Sequence, residues 1–471
     1  MTVKSSFFFC AIGGSGMMPL ALALKARGAA VSGSDRARDQ GRTPDRFAFL
    51  EKQGITLFPQ DGSGVRAGEA MVVVSTAVEP TVPDYQAALE LGRPILHRAA
   101  LLAQLANSAC VSIAVAGTSG KSTTTGMTGW VLQRTGRVPT IINGAVMKNF
   151  VAPETPFASS VVGDPDLMVV EADESDGSIE HYTPTIAVLN NIAVDHKTME
   201  ELRALFAAFL ERAGHAVVNL DNAESAALAQ GVPTDKLTTF SLEDESATLY
   251  ASDIALVQEG AGFTVTHTPS GESADVRLRV TGRHNAANAL AALGAVLAVG
   301  VSFQEACAAL GSFEGMVRRM DVVGQAVGVT VIDDFAHNPD KITATLAALH
   351  QFGGRLLILF QPHGYGPLRL MKDAFVEAFA TQLDKDDLLF LPEPLYLGGT
   401  VNREVTSRDL AEALMARGVS VTAHDKRETC ADSMVAQARA GDRLIIMGAR
   451  DDTLTTLAGQ ILARVGEKEA S

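Results

Sequence analysis

The stretch Gly117-Thr118-Ser119-Gly120-Lys121-Ser122-Thr123 carries the chemistry that is easiest to read in this chain. Glycines let successive backbone N–H groups face one anion, the lysine adds a charge, and the Ser122 hydroxyl is an oxygen donor for Mg2+. These are the parts of a phosphate-binding loop. The full pattern places a glycine where Val115 stands, so the match is partial. Further on, Glu171, Asp173, Glu174 and Asp176 close an apolar run, and Asp195 and His196 follow another. A hard cation takes such oxygen ligands. Asn285 and Asn288, one helical turn apart, can turn two amides toward an adenine edge. Near the start, Gly13-Gly14-Ser15-Gly16-Met17 is followed by Asp35, 19 residues after Gly16, which is close to the spacing of a dinucleotide site. Pro19 stands where that fingerprint has its third glycine. Each group has a plainer reading as well: a helix cap, a solvated acidic loop, or a tight βα turn.

These residues need elements to hold them. Val111 to Val115 reads as a buried strand entering the phosphate loop, with a helix containing Trp130 and Leu132 behind it. Asp166 to Val170 and Ile186 to Asn190 read as strands whose tips carry the acidic cluster and Asp195-His196. Strand ends on one edge of a parallel sheet converge, which would bring Ser122, Glu171 and His196 to one metal. Before them, Phe7 to Ile12, Ala29 to Ser32, Met71 to Ser75 and Pro94 to Arg98 form a smaller parallel set closing near Asn107. Beyond about Met316, strands at 329–332, 355–360, 388–391 and 443–447 alternate with helices and imply another doubly wound sheet.

The chain has 471 residues, enough for roughly three domains. A hydrophobic share of 47% fits a globular α/β protein. The net charge of −15 argues against nucleic acid and anionic membranes as partners. The four cysteines form no CxxC and read as reduced thiols. No apolar run approaches the roughly 18 residues of a membrane span, so a cytoplasmic protein is expected.

Taken in order, these stretches resemble the ATP-dependent Mur ligases of peptidoglycan synthesis over nearly the whole chain. Members share GTxGK(S/T)(T), a strand ending in EADESD, a downstream DH, GxHNxxN, an RR pair and DD(F/Y)xHxP. Here these stand at 117–123, 171–176, 195–196, 282–288, Arg318-Arg319 and 333–339. The IGGSGM, SGSD, STAVEP and HRAALL stretches look like the UDP-binding domain of the branch that joins UDP-N-acetylmuramate to L-alanine. The branch that recycles murein tripeptide is second.

The resemblance implies a three-domain α/β fold: a Rossmann-like UDP-sugar domain (1–107), a central P-loop ATPase-type domain (108–315) and a doubly wound domain for the amino substrate (316–471). It implies an amide-forming ligase that uses ATP and Mg2+, a UDP-N-acetylmuramate-type acceptor, and a small amino acid or short peptide as amine. By motif position, Lys121 and the loop would hold phosphates, Ser122 and Glu171 one Mg2+, and His196 a second. His284, Asn285 and Asn288 would seat adenosine, Arg319 would reach the γ-phosphate, and Asp334 the ribose. Gly14, Ser15, Gly16, Met17, Asp35, Ser75 and Thr76 would contact the UDP-sugar, and His337, His363 and Arg369 the amino substrate.

Departures stand beside the matches. Alanine-adding members carry QPHRYTR after the strand at 355–360, where its arginines hold the amino-acid carboxylate. This chain reads Gln361-Pro-His363-Gly364-Tyr365-Gly366-Pro367-Leu-Arg369, so Arg369 would serve only with a shift in register. Ser119 and Asn338 replace histidines, and no lysine lies between Lys197 and Lys236. Two other readings stay open: a silent UDP-sugar or ATP-binding regulator, and a nicotinamide-dependent oxidoreductase resting on the first 35 residues alone.

Overall fold

A computed structural model describes residues 6–174, 177–194, 197–257, 260–395, 403–449, 451 and 453–467. The chain divides into two compact units, 1–316 and 317–471. The first holds two sheets and the second holds one.

The N-terminal sheet is parallel and runs Thr56–Phe58, Ala30–Ser34, Ser6–Cys10, Met71–Val74, Ile95–His97. Its central strand shows why the sequence there is continuously apolar. Phe7 and Phe9 pack into one hydrophobic cluster and Phe8 and Cys10 into another. A parallel strand covered on both faces has no polar side to present.

The second sheet has ten strands. Its centre is Val111–Ala116, between Ile186–Leu189 and Asp164–Glu171, all parallel. Ala116 is paired with Leu189 and Val115 with Glu171, so three strands reach the same edge together. That carboxyl edge is where open α/β sheets place their ligands. At the far side of the sheet the parallel strands give way to an antiparallel meander, Leu249–Val257, Gly260–His267 and Glu272–Leu278. The helix Arg283–Ala298 buries an almost unbroken face of alanines. It packs against Lys121–Arg134, where Gly126 and Gly129 leave no room for a Cβ beside Met316 and Ile141.

The unit 317–471 is a six-stranded sheet in the order Asp321–Ala326, Val329–Asp334, Arg443–Gly448, Leu356–Gln361, Leu388–Pro392, Val421–His424. Only its first strand is antiparallel. The three strands Val329–Asp334, Arg443–Gly448 and Leu356–Gln361 are buried along their whole length. Among the described residues no helix is long and apolar enough to cross a membrane.

Candidate active site

Gly117 has φ of +132° and Gly120 of +84°, and between them the chain turns from the strand Val111–Ala116 into the helix Lys121–Arg134. Only glycine takes these values without strain. A Cβ on Gly120 would in addition collide with the amide of Asn288. The N-cap is Gly120, which has no side chain to cap this helix, and first-turn N–H groups of that kind suit an anion.

The loop is held from the neighbouring strand end. Ser119 N donates to Asn191 Oδ1 at 2.9 Å, and Asn191 Nδ2 donates back to Ser119 O at 3.1 Å. Thr118 N donates to Asn191 O at 3.0 Å, and its hydroxyl exchanges bonds with Ala193. Beneath the loop, Asn190 Nδ2 donates to Thr124 Oγ1 at 2.9 Å, and Thr124 donates to Asn288 Oδ1 at 3.2 Å. Asn288 Nδ2 donates to Asn285 Oδ1, whose own amide is bonded to Thr281 O. Asn285 and Asn288 are 7% and 6% exposed. The structure therefore uses their amides to brace the phosphate loop from below. His284, next to them, is exposed.

Lys121 Nζ donates to Gly117 O at 2.7 Å and to Glu174 Oε2 at 2.8 Å. Burial pulls its pKa down, but Asp173 and Glu174 outweigh that and hold the ammonium above the ordinary lysine range. Burial pushes the Glu174 carboxyl up, against the opposite pull of Lys121.

Ser122 is buried on the first helical turn, and Thr123 beside it is half-buried. The Glu171 carboxylate accepts from Gly144 N at 2.8 Å, which fixes it at the tip of its strand. Ser122 and Glu171 supply oxygen donors of the kind a hard cation takes, so the residues fit Mg2+. Asp176, Asp195 and His196 lie outside the described residues.

At the N-terminal sheet Asp35 does not point into open space. Its Oδ2 accepts from Gly13 N at 2.8 Å and its Oδ1 caps the next helix at Ala37 N. The carboxylate shapes the glycine turn and accepts one bond on each of its oxygens. Met17 is buried, Gly14 and Gly16 are half-buried and Ser15 is exposed. A Cβ on Gly16 would press on the Arg98 side chain at 3.1 Å. Arg98 also lines a cavity of about 330 Å3 with Ser75, Thr76, His97, Glu180 and His181. The sequence alone names Ser75 and Thr76 there and places His97-Arg98 in the HRAALL stretch of the UDP-binding domain without a role for either, and it passes over His181. The position of His97-Arg98 at a strand end was the available signal.

In the unit 317–471, Arg318 is buried and bonds to Asp333, Gly448 O and Asp451 O. Both guanidinium groups lie over the Phe335 ring, that of Arg318 at 5.2 Å and that of Arg319 at 4.8 Å from its centre. Asp334 is buried, and accepts from Met320 N, Ala336 N and Thr345 Oγ1. Like Asp35 it is engaged in holding a turn. His337 Nδ1 sits 2.8 Å from Phe335 O, so that nitrogen carries the proton. Its ring meets that of His363 edge-on at 5.1 Å. Burial first, then Lys341, His363 and Arg319, lower its pKa to about 4, despite the bond to Phe335 O. His337 and His363 thus form one cluster, while Arg369 is exposed on the helix Tyr365–Gln382.

A glycine turn at a helix N-terminus, Lys121 on that helix and a carboxylate on the adjoining strand tip are the parts with which an α/β enzyme uses a nucleotide. Residues 7–109 match the profile described as Mur ligase family, catalytic domain; 115–296 match the Mur ligase middle domain; and 318–450 match the Mur ligase glutamate ligase domain. The UDP-N-acetylmuramate–L-alanine ligase of Acidithiobacillus ferrooxidans is 34% identical over 462 residues, covering 95% of each chain. That of Pelotomaculum thermopropionicum is 33% identical over 460 residues, covering 96% of each. The chain belongs to the Mur ligase family and is an ATP-dependent ligase. Its fold is shared with the solved UDP-N-acetylmuramate–alanine ligase of Thermotoga maritima (TM-score 0.78, 22% identity, 99% of this chain and 100% of that one). A murein peptide ligase from Psychrobacter arcticus aligns with TM-score 0.73 at 26% identity, over 98% of this chain and 99% of that one.

Proposed function

We propose that this chain joins the carboxylate of UDP-N-acetylmuramate to L-alanine, using ATP and releasing ADP and phosphate. The observation that carries the reading is the meeting of three strand tips around one helix N-terminus, Lys121 and Glu171, in a chain similar over 95% of its length to ligases of that name. The reading keeps three domains, 1–107, 108–315 and 316–471, and places the reaction in the cytoplasm, in accord with four free thiols.

A carboxylate is a poor acyl donor because oxide is a very poor leaving group. Phosphoryl transfer from ATP makes an acyl phosphate; the amine attacks its carbonyl, and phosphate departs. The first step brings two anions together, so positioning and charge neutralisation dominate. In this proposal the loop N–H groups and Lys121 hold the β/γ-phosphates. Ser122, Glu171 and His196 would hold Mg2+, which supplies positive charge at the phosphates. Arg98 and the turn at 14–17 would take the diphosphate of the UDP-sugar. Arg319 would meet the γ-phosphate, and His337 and His363 would receive the amine.

The amine is the finer question. Gly364 and Pro367 stand where alanine-adding members carry the two arginines that hold the amino-acid carboxylate, which favours testing a peptide amine beside L-alanine. Phosphate release from ATP is measured with UDP-N-acetylmuramate and, in turn, L-alanine, glycine, L-serine and L-Ala-γ-D-Glu-meso-diaminopimelate. Release with L-alanine above the others supports the reading. Release with the tripeptide alone would replace it by a recycling ligase, and no release with any amine would leave a nucleotide-binding regulator.

A further inference from the structure

One buried carboxylate has no task in that mechanism. Glu174 is 5% exposed, three residues beyond Glu171, and lies against the loop lysine with 2.8 Å between Oε2 and Nζ. With Gly117 O at 2.7 Å, two of the three ammonium donors are directed at the protein itself. Asp173 Oδ1 is further away, at 3.9 Å, and its side chain is 36% exposed. An ammonium this enclosed is costly without a counter-charge. Glu174 supplies it.

We infer that Glu174 is a positioning residue for Lys121: it is the counter-ion of the ammonium before nucleotide binds, and the nucleotide must take the ammonium from it. Two anions then compete for one cation, and the affinity for nucleotide is what remains after the exchange. The carboxylate holds Lys121 in place between turnovers and loosens the hold on ADP. This rests on the ATP reading above. The competing role, a direct ligand of the metal, would turn the carboxylate away from Nζ.

The test is calorimetric titration of the full chain with ADP in excess EDTA, where no divalent cation contributes. Glu174→Gln keeps the size and an acceptor for Nζ but removes the charge. It is expected to bind ADP about tenfold tighter than wild type, the order of one charge-assisted hydrogen bond no longer exchanged. Asp173→Asn makes the same charge change further from Nζ and is expected to gain less than about threefold. Glu174→Asp, which keeps the charge with a shorter reach, is expected to fall between wild type and Glu174→Gln, and serves alone should the glutamine variant fail to fold. An unchanged or weaker affinity in Glu174→Gln, or equal gains in Glu174→Gln and Asp173→Asn, overturns the inference. So does a raised Mg2+ requirement in turnover with metal-free affinity unaltered. Wild type is titrated first with ATP and Mg2+: absence of binding there overturns the ATP reading itself, and Glu174's role with it.

Discussion

Val115 and Glu171 are paired across two parallel strands, which sets a carboxylate beside the strand that feeds the phosphate loop. Two residues after Val115 the chain turns at Gly117, and four further on stands Lys121. The spacing between the cation and the carboxylate is thus a matter of strand register, and a register is hard to slip when both faces of a sheet are buried.

Lys121→Ala removes a charge aimed at phosphate. Its kcat is expected to fall by at least about a hundredfold, with the circular dichroism spectrum preserved. Glu171→Gln is expected to raise the Mg2+ concentration for half-maximal rate while the chain stays folded. Phosphate-release kinetics over a Mg2+ series check both.

Asn190 and Asn288 brace the loop from beneath. Asn190→Ala strands the acceptors it serves and is expected to cost about 1–3 kcal/mol in urea unfolding, with a weaker affinity for ATP. Gly120→Ala meets the Asn288 amide at a left-handed backbone position. It is expected to abolish ATP binding measured by equilibrium titration.

Arg98 lines the cavity beside Ser75 and Thr76 and lies against Gly16. Arg98→Ala is expected to raise KM for the UDP-sugar about tenfold, the order of one lost charge-assisted contact, and to leave KM for ATP unchanged. Initial rates with each substrate varied in turn distinguish the two.

Much of this was legible because buried parallel strands are mostly apolar and end in glycine, asparagine or aspartate. The strands at 111–116, 186–189, 329–334 and 443–448 all read in that way. The meander at 249–278 did not: Leu249–Val257 passes from alternating buried and half-buried residues to alternating half-buried and exposed ones, and polar residues on the open face dilute the pattern. Motifs located the site but not the direction of each side chain. Asp35, Asp334, Asn285 and Asn288 have the chemistry of ligand contacts, yet in the structure they bond to backbone and neighbours. Asn190 and Asn191 drew little notice because a short amide at a strand end is an ordinary turn residue. Their role depends on a loop 71 and 72 residues away in sequence.

His337 is held neutral in the fold, with its pKa lowered to about 4 from 6.5. Between those values the unfolded chain binds a proton that the folded chain does not, so stability falls as pH is lowered through this window. The loss is expected to reach about 2 kcal/mol between pH 7 and pH 5 from this group. His337→Gln is expected to flatten that part of the profile, read from urea unfolding at each pH.

The central claim is that the acceptor's carboxylate is phosphorylated before the amine attacks. It is tested most directly by supplying UDP-N-acetylmuramate with 18O in that carboxylate, together with ATP and the amine, and weighing the phosphate released. One 18O atom in each phosphate is the expected result. Phosphate free of the label, formed at the same rate as the amide, would contradict the account.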